Sequence, residues 1–351
     1  MITSINQELI FLSLSIALIL LLNFLYIKKD FLIHKTFNFQ HKVRKDNDNV
    51  KIPLSGGLYI LISLLIINIF NNFYLFNFFL YSVFFYFIGY LSDINSRISP
   101  KIRFIIMNVI TFMILINAQL IIDKIDIKII DFFLKFNLLS LAIFTLAIVS
   151  IINGTNFIDG NNGNCIAYFL LIFFILIYRS DEFLFNYNDI FLIRKIIIFL
   201  LVFFILNFFN KNYLGDNGSY ILGFFTSIYF VHLFAKYSIS SIFLICLLIY
   251  PFIEVLFSII RKYLEGKNPF YPDNLHLHQL IENRIFSKVK TAYANNLTTF
   301  IILIFNIPFY YIMMILKISK VNFIQILSAY IISYVIFYCL IRLDFFAKKK
   351  N

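Results

Sequence analysis

Four acidic residues stand where polar segments follow long apolar runs, and their neighbours are residue types that phosphoryl-transfer sites use. They are Asp93, Asp159, Asp216 and Asp273. Carboxylates gathered near basic and histidine side chains suit Mg²⁺, which takes one or two carboxylates together with substrate phosphate oxygens. Phosphoryl transfer needs that cation, cationic groups for the phosphate and a positioned nucleophile. The pattern therefore predicts phosphoryl transfer that depends on Mg²⁺, with Mn²⁺ as the alternative metal.

The polar stretch 153–163 separates two apolar runs with three glycines, four asparagines and one aspartate. A turn between membrane helices needs only a glycine and a few polar residues, so this stretch offers more amide groups than a connection requires. Irregular backbone at membrane depth persists only where it is buried in protein or lines a wet cavity. We therefore predict that the stretch takes part in the chemistry.

Groups that can receive a phosphate come from two further segments. Lys101 and Arg103 follow Asp93 closely and supply positive charge. The sequence Gly-Asp-Asn-Gly-Ser at 215–219 precedes a helix predicted to open at Tyr220. Small residues with free N–H groups at the start of a helix can receive an anion. Both segments are thus predicted to contact phosphate.

The elements that position these residues are membrane helices. Of the 351 residues, 61 % are hydrophobic and 14 % are charged, and the mean hydropathy is +0.87. Runs long enough to cross a bilayer predict an all-α, polytopic membrane protein with eleven spans and one domain, 1–351. The spans are 8–27, 54–70, 74–91, 104–122, 133–152, 165–178, 190–209, 220–235, 239–260, 297–316 and 323–341.

The positive charge of the chain follows its predicted topology. Of the 30 Lys and Arg residues, 21 fall in the C-terminal tail and in the loops near 28–53, 92–103, 153–164, 210–219 and 261–296. Cytoplasmic loops carry such an excess, so we predict a periplasmic N-terminus and a cytoplasmic C-terminus. The net charge of +12 is therefore topological and does not indicate nucleic acid as a partner.

Five motifs, in order, resemble one family of membrane enzymes. They lie at 53–57, 89–103, 153–163, 215–223 and 268–278. Together they resemble the polyprenyl-phosphate N-acetylhexosamine-1-phosphate transferases, of the glycosyltransferase family 4 type, which are related to phospho-MurNAc-pentapeptide transferase. The eleven-span arrangement with the N-terminus outside is the one that this resemblance implies.

The resemblance implies roles for individual positions. Asp216 matches the magnesium-ligating aspartate of a Gly-Asp-x-Gly-Ser motif, and Asp93 matches the second acid of an Asp-Asp pair, a metal or catalytic-base position. Asn156 and Asp159 match an Asn-x-x-Asp-Gly segment that meets the nucleotide-sugar and the metal site. Arg103 falls where the family keeps a cation that contacts phosphate.

His276 and His278 match the histidine motif of a large cytoplasmic loop, which is implied to contact the sugar diphosphate. At positions i and i+2 they share a face only if that loop is extended rather than helical. With Asp93 and Asp159 they are the candidate catalytic residues. The candidate substrate contacts are Lys101, Arg103, Asn153, Asn156, Asn162 and Asp273.

The chain departs from the fullest family pattern at four positions. Ser92 replaces the first acid of the pair, Ser96 a third acid of some members, Asn162 a second acid of the Asp-Gly-x-Asp-Gly pattern, and Gln279 a third histidine. Fewer acids disfavour a covalent intermediate held by two carboxylates. The lipid phosphate is then expected to attack the nucleotide-sugar diphosphate directly.

The expected activity is transfer of a sugar-1-phosphate, of an N-acetylhexosamine such as that of UDP-GlcNAc, from a UDP-sugar to undecaprenyl or another polyprenyl phosphate, with release of UMP. It would initiate O-antigen-like lipopolysaccharide or other cell-envelope synthesis at the cytoplasmic face of the bacterial inner membrane, with a homodimer left open. The alternatives are phospho-MurNAc-pentapeptide transfer, secondary transport and an inactive membrane scaffold. The motif Pro-Asp-Asn-Leu-His-Leu-His at 272–278 disfavours the first of these, because that enzyme has three consecutive histidines. Transporter sites lie near the bilayer midplane between repeats, and the sequence shows no repeat.

Overall fold

The computed structural model describes residues 2–33, 51–94, 98–237, 239–271, 273–286, 291–315 and 320–350. The regular elements in these ranges are α-helices, and an isolated bridge pairs Ile33 with Pro53. The helices are α1 (Ile2–Lys28), α2 (Gly56–Phe70), α3 (Phe76–Ile94), α4 (Pro100–Asn117), α5 (Lys128–Leu134), α6 (Asn137–Ile158), α7 (Asn164–Tyr178), α8 (Tyr187–Phe208), α9 (Gly215–Lys236), α10 (Ser241–Leu247), α11 (Ile249–Leu264), α12 (Leu277–Phe286), α13 (Thr291–Ile315) and α14 (Lys320–Lys350).

Seven helices in the described ranges are long and apolar enough to cross a membrane. They lie within α1, α3, α4, α6, α9, α13 and α14. The pair α10 and α11, bent by 72°, makes an eighth if it is one broken span, while α2 and α7 are shorter apolar helices. The prediction of an all-helical polytopic membrane protein is thus confirmed. The count of eleven crossings and the orientation of the termini stay predictions.

Helix α9 is the centre of the bundle, and 83 % of its apolar stretch lies inside the protein. It packs against α2, α3 and α6. At Gly89 of α3 an added Cβ would overlap the backbone of Asn217 in α9. Only a glycine permits this approach, since any larger side chain would push the two helices apart. The close packing brings the end of α3 against the start of α9.

Several helices extend further than the apolar runs predicted, which corrects the boundaries of the polar loops. Helix α6 continues to Ile158 and therefore includes Asn153 and Asn156, α9 begins at Gly215 rather than Tyr220, and α3 includes Asp93. The predicted loop 261–296 also contains α12 and the start of α13. An apolar run ends where polar side chains begin, but a helix continues when those side chains find partners inside the protein.

Candidate active site

Polar side chains from four helix ends meet around Asp216, in the first turn of α9. They come from the last turns of α3 and α6 and from the first turns of α4 and α9, so the polar segments of the sequence converge at one end of the bundle. We call this group the Asp216 cluster. Its members are Ser92, Asp93, Arg103, Asn156, Asp216, Ser219 and Tyr220.

Both oxygens of the Asp216 carboxylate accept hydrogen bonds from side chains. Oδ1 accepts from Nδ2 of Asn156 at 2.6 Å. Oδ2 accepts from Oγ of Ser92 at 2.5 Å and forms an ion pair with Nη1 of Arg103 at 2.9 Å. The side chains of Arg103 and Asp216 are 17 % and 20 % exposed. Asp216 is therefore a paired carboxylate that remains partly accessible.

The guanidinium of Arg103 joins the members of the cluster from α3, α4 and α9. Besides Asp216, its Nη1 donates to the hydroxyl of Tyr220 at 3.0 Å and to Oγ of Ser92. Ser92, which replaces an acid of the family pattern, thus bridges the cation and the carboxylate. A second acid at that position would add negative charge beside Asp216, and the serine keeps the contact without the charge.

Asp93 caps the N-terminus of α9. Its Oδ1 accepts from the backbone N–H of Asp216 at 3.0 Å, and its Oδ2 accepts from that of Asn217 at 3.1 Å. The side chain is buried, and a carboxylate at this position satisfies N–H groups that have no partner within the helix. The prediction that these N–H groups are free to receive a substrate anion is therefore wrong, because Asp93 already occupies them.

Asp216 fits a magnesium site better than Asp93 does. No group of three His, Cys, Asp or Glu side chains in the described part of the chain is placed to hold a metal. Mg²⁺ needs only one or two carboxylates when substrate phosphates supply the remaining oxygens. Asp216 is partly exposed and meets this need, whereas Asp93 is buried and uses both oxygens on backbone N–H groups.

A second polar group, the histidine cluster, lies where the segment before α12 folds onto α11. Its members are Glu254, Arg261, Lys262, Asp273, His276 and His278. Asp273 forms an ion pair with Nη1 of Arg261 at 2.8 Å, and its Oδ1 lies 4.0 Å from Nε2 of His276. Burial raises the pKa of Asp273, but the ion pair with Arg261 outweighs it, so that this pKa lies below its ordinary value.

The two histidine rings lie side by side, 6.0 Å apart and inclined by 10°. The condition that the loop must be extended for this arrangement is wrong, because α12 begins at Leu277, between them. His276 precedes the helix, and His278 lies in its first turn. The change from non-helical to helical backbone turns both side chains to the same side, and both are buried.

The end of α6 connects the two clusters. Asn156 contacts Asp216, while the ring of the next residue, Phe157, lies 4.5 Å from that of His276. A Cβ at Gly160 would overlap Nε2 of His278. Asp159, the C-cap of α6, lies between these contacts along the chain. The polar stretch 153–163 is therefore a shared wall of both clusters.

Three candidate substrate contacts are not among the members of the two clusters. Asn153 donates to the carbonyl of Val149, one turn earlier in α6. The backbone N–H of Asn162 donates to Oδ1 of Asn295 at 2.8 Å, which ties the polar turn to α13. Lys101 is exposed on the first turn of α4. Ser96, named above as a departure from the family pattern, lies outside the described residues.

The sequence interpretation missed Glu254, Arg261 and Lys262. Glu254 is the single acid of the predicted span 239–260, and an ionisable residue inside an apolar helix is a signal of function. Arg261 and Lys262 were counted only as loop charges, yet both are buried at the end of α11. Nζ of Lys262 donates to the carbonyl of Tyr271 at 2.8 Å and so holds the loop before the histidines.

A third polar group lies at the other end of α9. The buried carboxylate of Asp189 accepts from Nζ of Lys236 at 2.9 Å and from the hydroxyls of Tyr74, Tyr229 and Tyr237. Lys236 is twenty residues beyond Asp216, which corresponds to about 30 Å along a helix. These contacts join α8 and α9, and they are separate from the two clusters described above.

Comparison with known proteins supports the resemblance. Residues 75–234 match the glycosyl transferase family 4 model. An undecaprenyl-phosphate alpha-N-acetylglucosaminyl 1-phosphate transferase of Thermotoga maritima is 26 % identical over 235 residues, which are 67 % of this chain and 69 % of that protein. The matched range 75–234 contains the whole Asp216 cluster and ends before the histidine cluster. Residues 75–234 of this chain are therefore similar to glycosyl transferase family 4, the family type that the sequence motifs resemble.

Proposed function

We propose that the protein transfers a sugar-1-phosphate from a UDP-sugar to a polyprenyl phosphate, releasing UMP and forming a polyprenyl diphospho-sugar. The observation that carries this proposal is the convergence of Arg103, Asn156 and Asp216 from three helices that the sequence separates. A paired, partly exposed carboxylate beside a guanidinium is suited to a metal-phosphate substrate. The relative from Thermotoga maritima is named for the same class of reaction.

Asp216 is the residue that would hold Mg²⁺, together with oxygens of the substrate phosphates. The bound cation would neutralise phosphate charge during transfer. Asn156 orients the Asp216 carboxylate through Oδ1, and Asp93 fixes its backbone. The guanidinium of Arg103 can exchange its contact with the Asp216 carboxylate for a contact with a phosphate oxygen. The chain thus contributes positioning and electrostatic stabilisation, which is what phosphoryl transfer requires of a protein.

The reaction needs no covalent intermediate with the protein. An oxygen of the polyprenyl phosphate forms a bond to the sugar-linked phosphorus of the UDP-sugar, and the bond from that phosphorus to the bridging oxygen breaks. UMP leaves with that oxygen. A phosphate near neutral pH is already ionised, so Asp93 need not act as a base. Its two hydrogen bonds to backbone N–H groups favour a positioning role instead.

The histidine cluster is suited to contact the sugar diphosphate of the UDP-sugar donor. His276 and His278 lie side by side, Arg261 and Lys262 lie at the neighbouring Asp273, and the end of α6 contacts both this cluster and the Asp216 cluster. We assign to the two histidines contact with the sugar diphosphate. Asp159, which lies between the contact residues of the two clusters along the chain, is assigned to the nucleotide-sugar.

The acceptor's hydrocarbon tail can reach the Asp216 cluster from the bilayer. Leu91 and Ile94 at the end of α3, and Ile102 and Ile105 at the start of α4, are 48–51 % exposed. These apolar side chains flank Asp93 and Arg103 in the sequence. A phosphate could therefore enter the cluster while its tail stays in lipid. This arrangement supports a lipid acceptor and a site at the membrane surface, which we place on the cytoplasmic face of the inner membrane.

Transport is the second class considered, and the geometry disfavours it. Transporter sites lie near the bilayer midplane where helices are broken, whereas the Asp216 cluster is built from helix ends. We propose an N-acetylhexosamine as the sugar and initiation of a cell-envelope polysaccharide as the role. Phospho-MurNAc-pentapeptide transfer is the alternative within the same chemistry.

The test is a transfer assay with the full-length protein in membranes, Mg²⁺, polyprenyl phosphate and a panel of UDP-sugars, including UDP-MurNAc-pentapeptide. We expect UMP release and butanol-extractable labelled lipid with one or a few UDP-N-acetylhexosamines. The Asp216→Asn variant should lose at least about 100-fold of the activity, while Asp181→Asn, an exposed acid outside the clusters, should keep it. UMP release that survives Asp216→Asn, or no release with any donor, would refute the proposal.

A further inference from the structure

The buried acid Glu254 on α11 contacts one of the two histidines. Its side chain is 1 % exposed, and its Oε2 lies 3.3 Å from Nδ1 of His276. Among the described residues, His276 is the ion-pair partner of Glu254, and Oε1 of Glu254 has no hydrogen-bond partner. Oε2 of this carboxylate is therefore directed at the imidazole of His276.

Such a carboxylate is costly to keep. A charged group away from water is destabilising unless it is paired, and an apolar residue would fill the same space in α11 at less cost. Asp273, on the other side of the imidazole, pairs with Arg261 at 2.8 Å. Asp273 thus has a cation of its own, while the ion-pair partner of Glu254 among the described residues is His276. We therefore expect the Glu254 carboxylate to act through its contact with His276.

We propose that Glu254 is a positioning residue for His276. By accepting a hydrogen bond from Nδ1–H, its carboxylate fixes the tautomer and the plane of the ring, so that Nε2 is left to face Asp273 and the substrate side of the cluster. Carboxylates orient metal-bound and catalytic histidines in this manner. The catalytic part of this inference rests on the proposed transfer reaction. The orientation of the ring does not.

The positioning role of Glu254 toward His276 is tested with four variants of the full-length protein in detergent. They are Glu254→Gln, Glu254→Asp, His276→Asn and the double variant Glu254→Gln/His276→Asn. Loss of an orienting carboxylate typically costs about 10- to 100-fold. We expect Glu254→Gln to lower kcat/KM for the UDP-sugar by that amount, Glu254→Asp to recover part of the loss, and the double variant to be no worse than His276→Asn. If Glu254 only stabilised the fold, the losses of kcat/KM in the two single variants would multiply in the double variant. Each loss would also follow the fall of the thermal midpoint.

Asp189→Asn is the matched control, because it removes the charge of another buried carboxylate that lies outside both clusters. It should lower the thermal midpoint without changing kcat/KM of the folded protein. Multiplying losses in the double variant, or equal losses in Glu254→Gln and Asp189→Asn, would overturn the proposal.

A second measurement does not depend on the transfer reaction. The protein has five histidines, so ¹⁵N labelling of their rings gives few signals, and His276→Asn assigns those of His276. We expect Glu254→Gln to shift the Nδ1 resonance of His276 and Asp189→Asn to leave it unchanged. An unchanged resonance in Glu254→Gln would refute the contact even if transfer is observed. A shifted resonance without UMP release from the wild type would refute the transfer reaction alone.

Discussion

One carboxylate oxygen of Asp93 accepts a hydrogen bond from the backbone N–H of Asp216 at 3.0 Å. The two acids thus have different tasks, although both were candidate metal ligands. Asp93, at the end of α3, holds the first turn of α9, and the Asp216 side chain projects from that turn toward Arg103 and Asn156. The geometry of the candidate metal ligand depends on the acid that caps its helix.

Replacing Asp93 should lower the stability of the fold more than it lowers the rate of transfer by the folded protein. Asp93→Ala leaves two backbone N–H groups at the start of α9 without acceptors, and each such group costs about 1–3 kcal/mol when buried. Asp93→Asn keeps one acceptor oxygen, so we expect a smaller fall of the thermal midpoint. We also expect transfer per folded molecule of Asp93→Asn within about tenfold of the wild type.

The measurement for Asp93 is thermal unfolding in detergent beside UMP release normalised to folded protein. A general base contributes about 10²- to 10⁴-fold. A loss of that size in Asp93→Asn with an unchanged thermal midpoint would show that Asp93 acts in the chemistry, contrary to the capping role.

Removing Arg103 should change the metal requirement. Its Nη1 lies 2.9 Å from Oδ2 of Asp216, so the guanidinium competes with a cation for that oxygen. In Arg103→Ala we expect a lower half-saturating Mg²⁺ concentration together with a kcat reduced by about 100-fold or more. Titration of Mg²⁺ after chelation measures both. Tyr220→Phe is the control, since it removes a hydroxyl beside Arg103 and keeps both charges. If Arg103→Ala has the same Mg²⁺ requirement as the wild type, the guanidinium does not compete with Mg²⁺ for Asp216.

The ion pair of Asp273 should make stability depend on pH. Its pKa is lower in the folded protein than the ordinary value of about 3.9. A lowered folded pKa stabilises above the unfolded pKa, and the contribution is lost as pH falls through the folded pKa. We expect Asp273→Asn to cost about 1–3 kcal/mol at neutral pH, because the buried Arg261 loses its nearer carboxylate and, among the described residues, keeps only Glu265 at 3.9 Å.

Thermal midpoints of wild type and Asp273→Asn, measured from pH 8 downward, test this dependence. The difference should be constant to about pH 5 and should shrink as the pH falls below about 3.9, the ordinary aspartate pKa, and through the lower pKa of Asp273 in the folded protein. Asp181→Asn, at an exposed acid, should show no comparable difference. A difference in thermal midpoint that grows toward acid pH would contradict the predicted direction of the pH dependence.

Adding a methyl group at Gly160 should displace His278. A Cβ there would overlap Nε2 of the imidazole, so the ring must move away from the end of α6. We expect Gly160→Ala to lower kcat/KM for the UDP-sugar by at least about tenfold. Gly266→Asn is the matched control: no atom lies within 4 Å of a Cβ at that position, and asparagine tolerates its φ of +66°. Equal activity of the two variants would place His278 outside the site.

The sequence by itself determined the membrane class, the ordered motifs and most members of the Asp216 cluster. Apolar runs and short motifs are local patterns, so they are readable without a structure. Asp93, Arg103, Asn156 and Asp216 were each identified in this way. The replacement at Ser92 was also visible, although the reason for it was not.

The tertiary structure decided which partners these side chains have. The hydrogen bond from Asn156 to Asp216 joins positions 60 residues apart, and the one from Asp216 to Asp93 joins positions 123 apart. No local pattern reveals such pairs, because they depend on how closely α3, α6 and α9 pack. Burial distinguished the capping acid from the accessible one, and packing placed Glu254 against His276. Helix ends moved for the same reason, since polar residues continue a helix when tertiary contacts satisfy them.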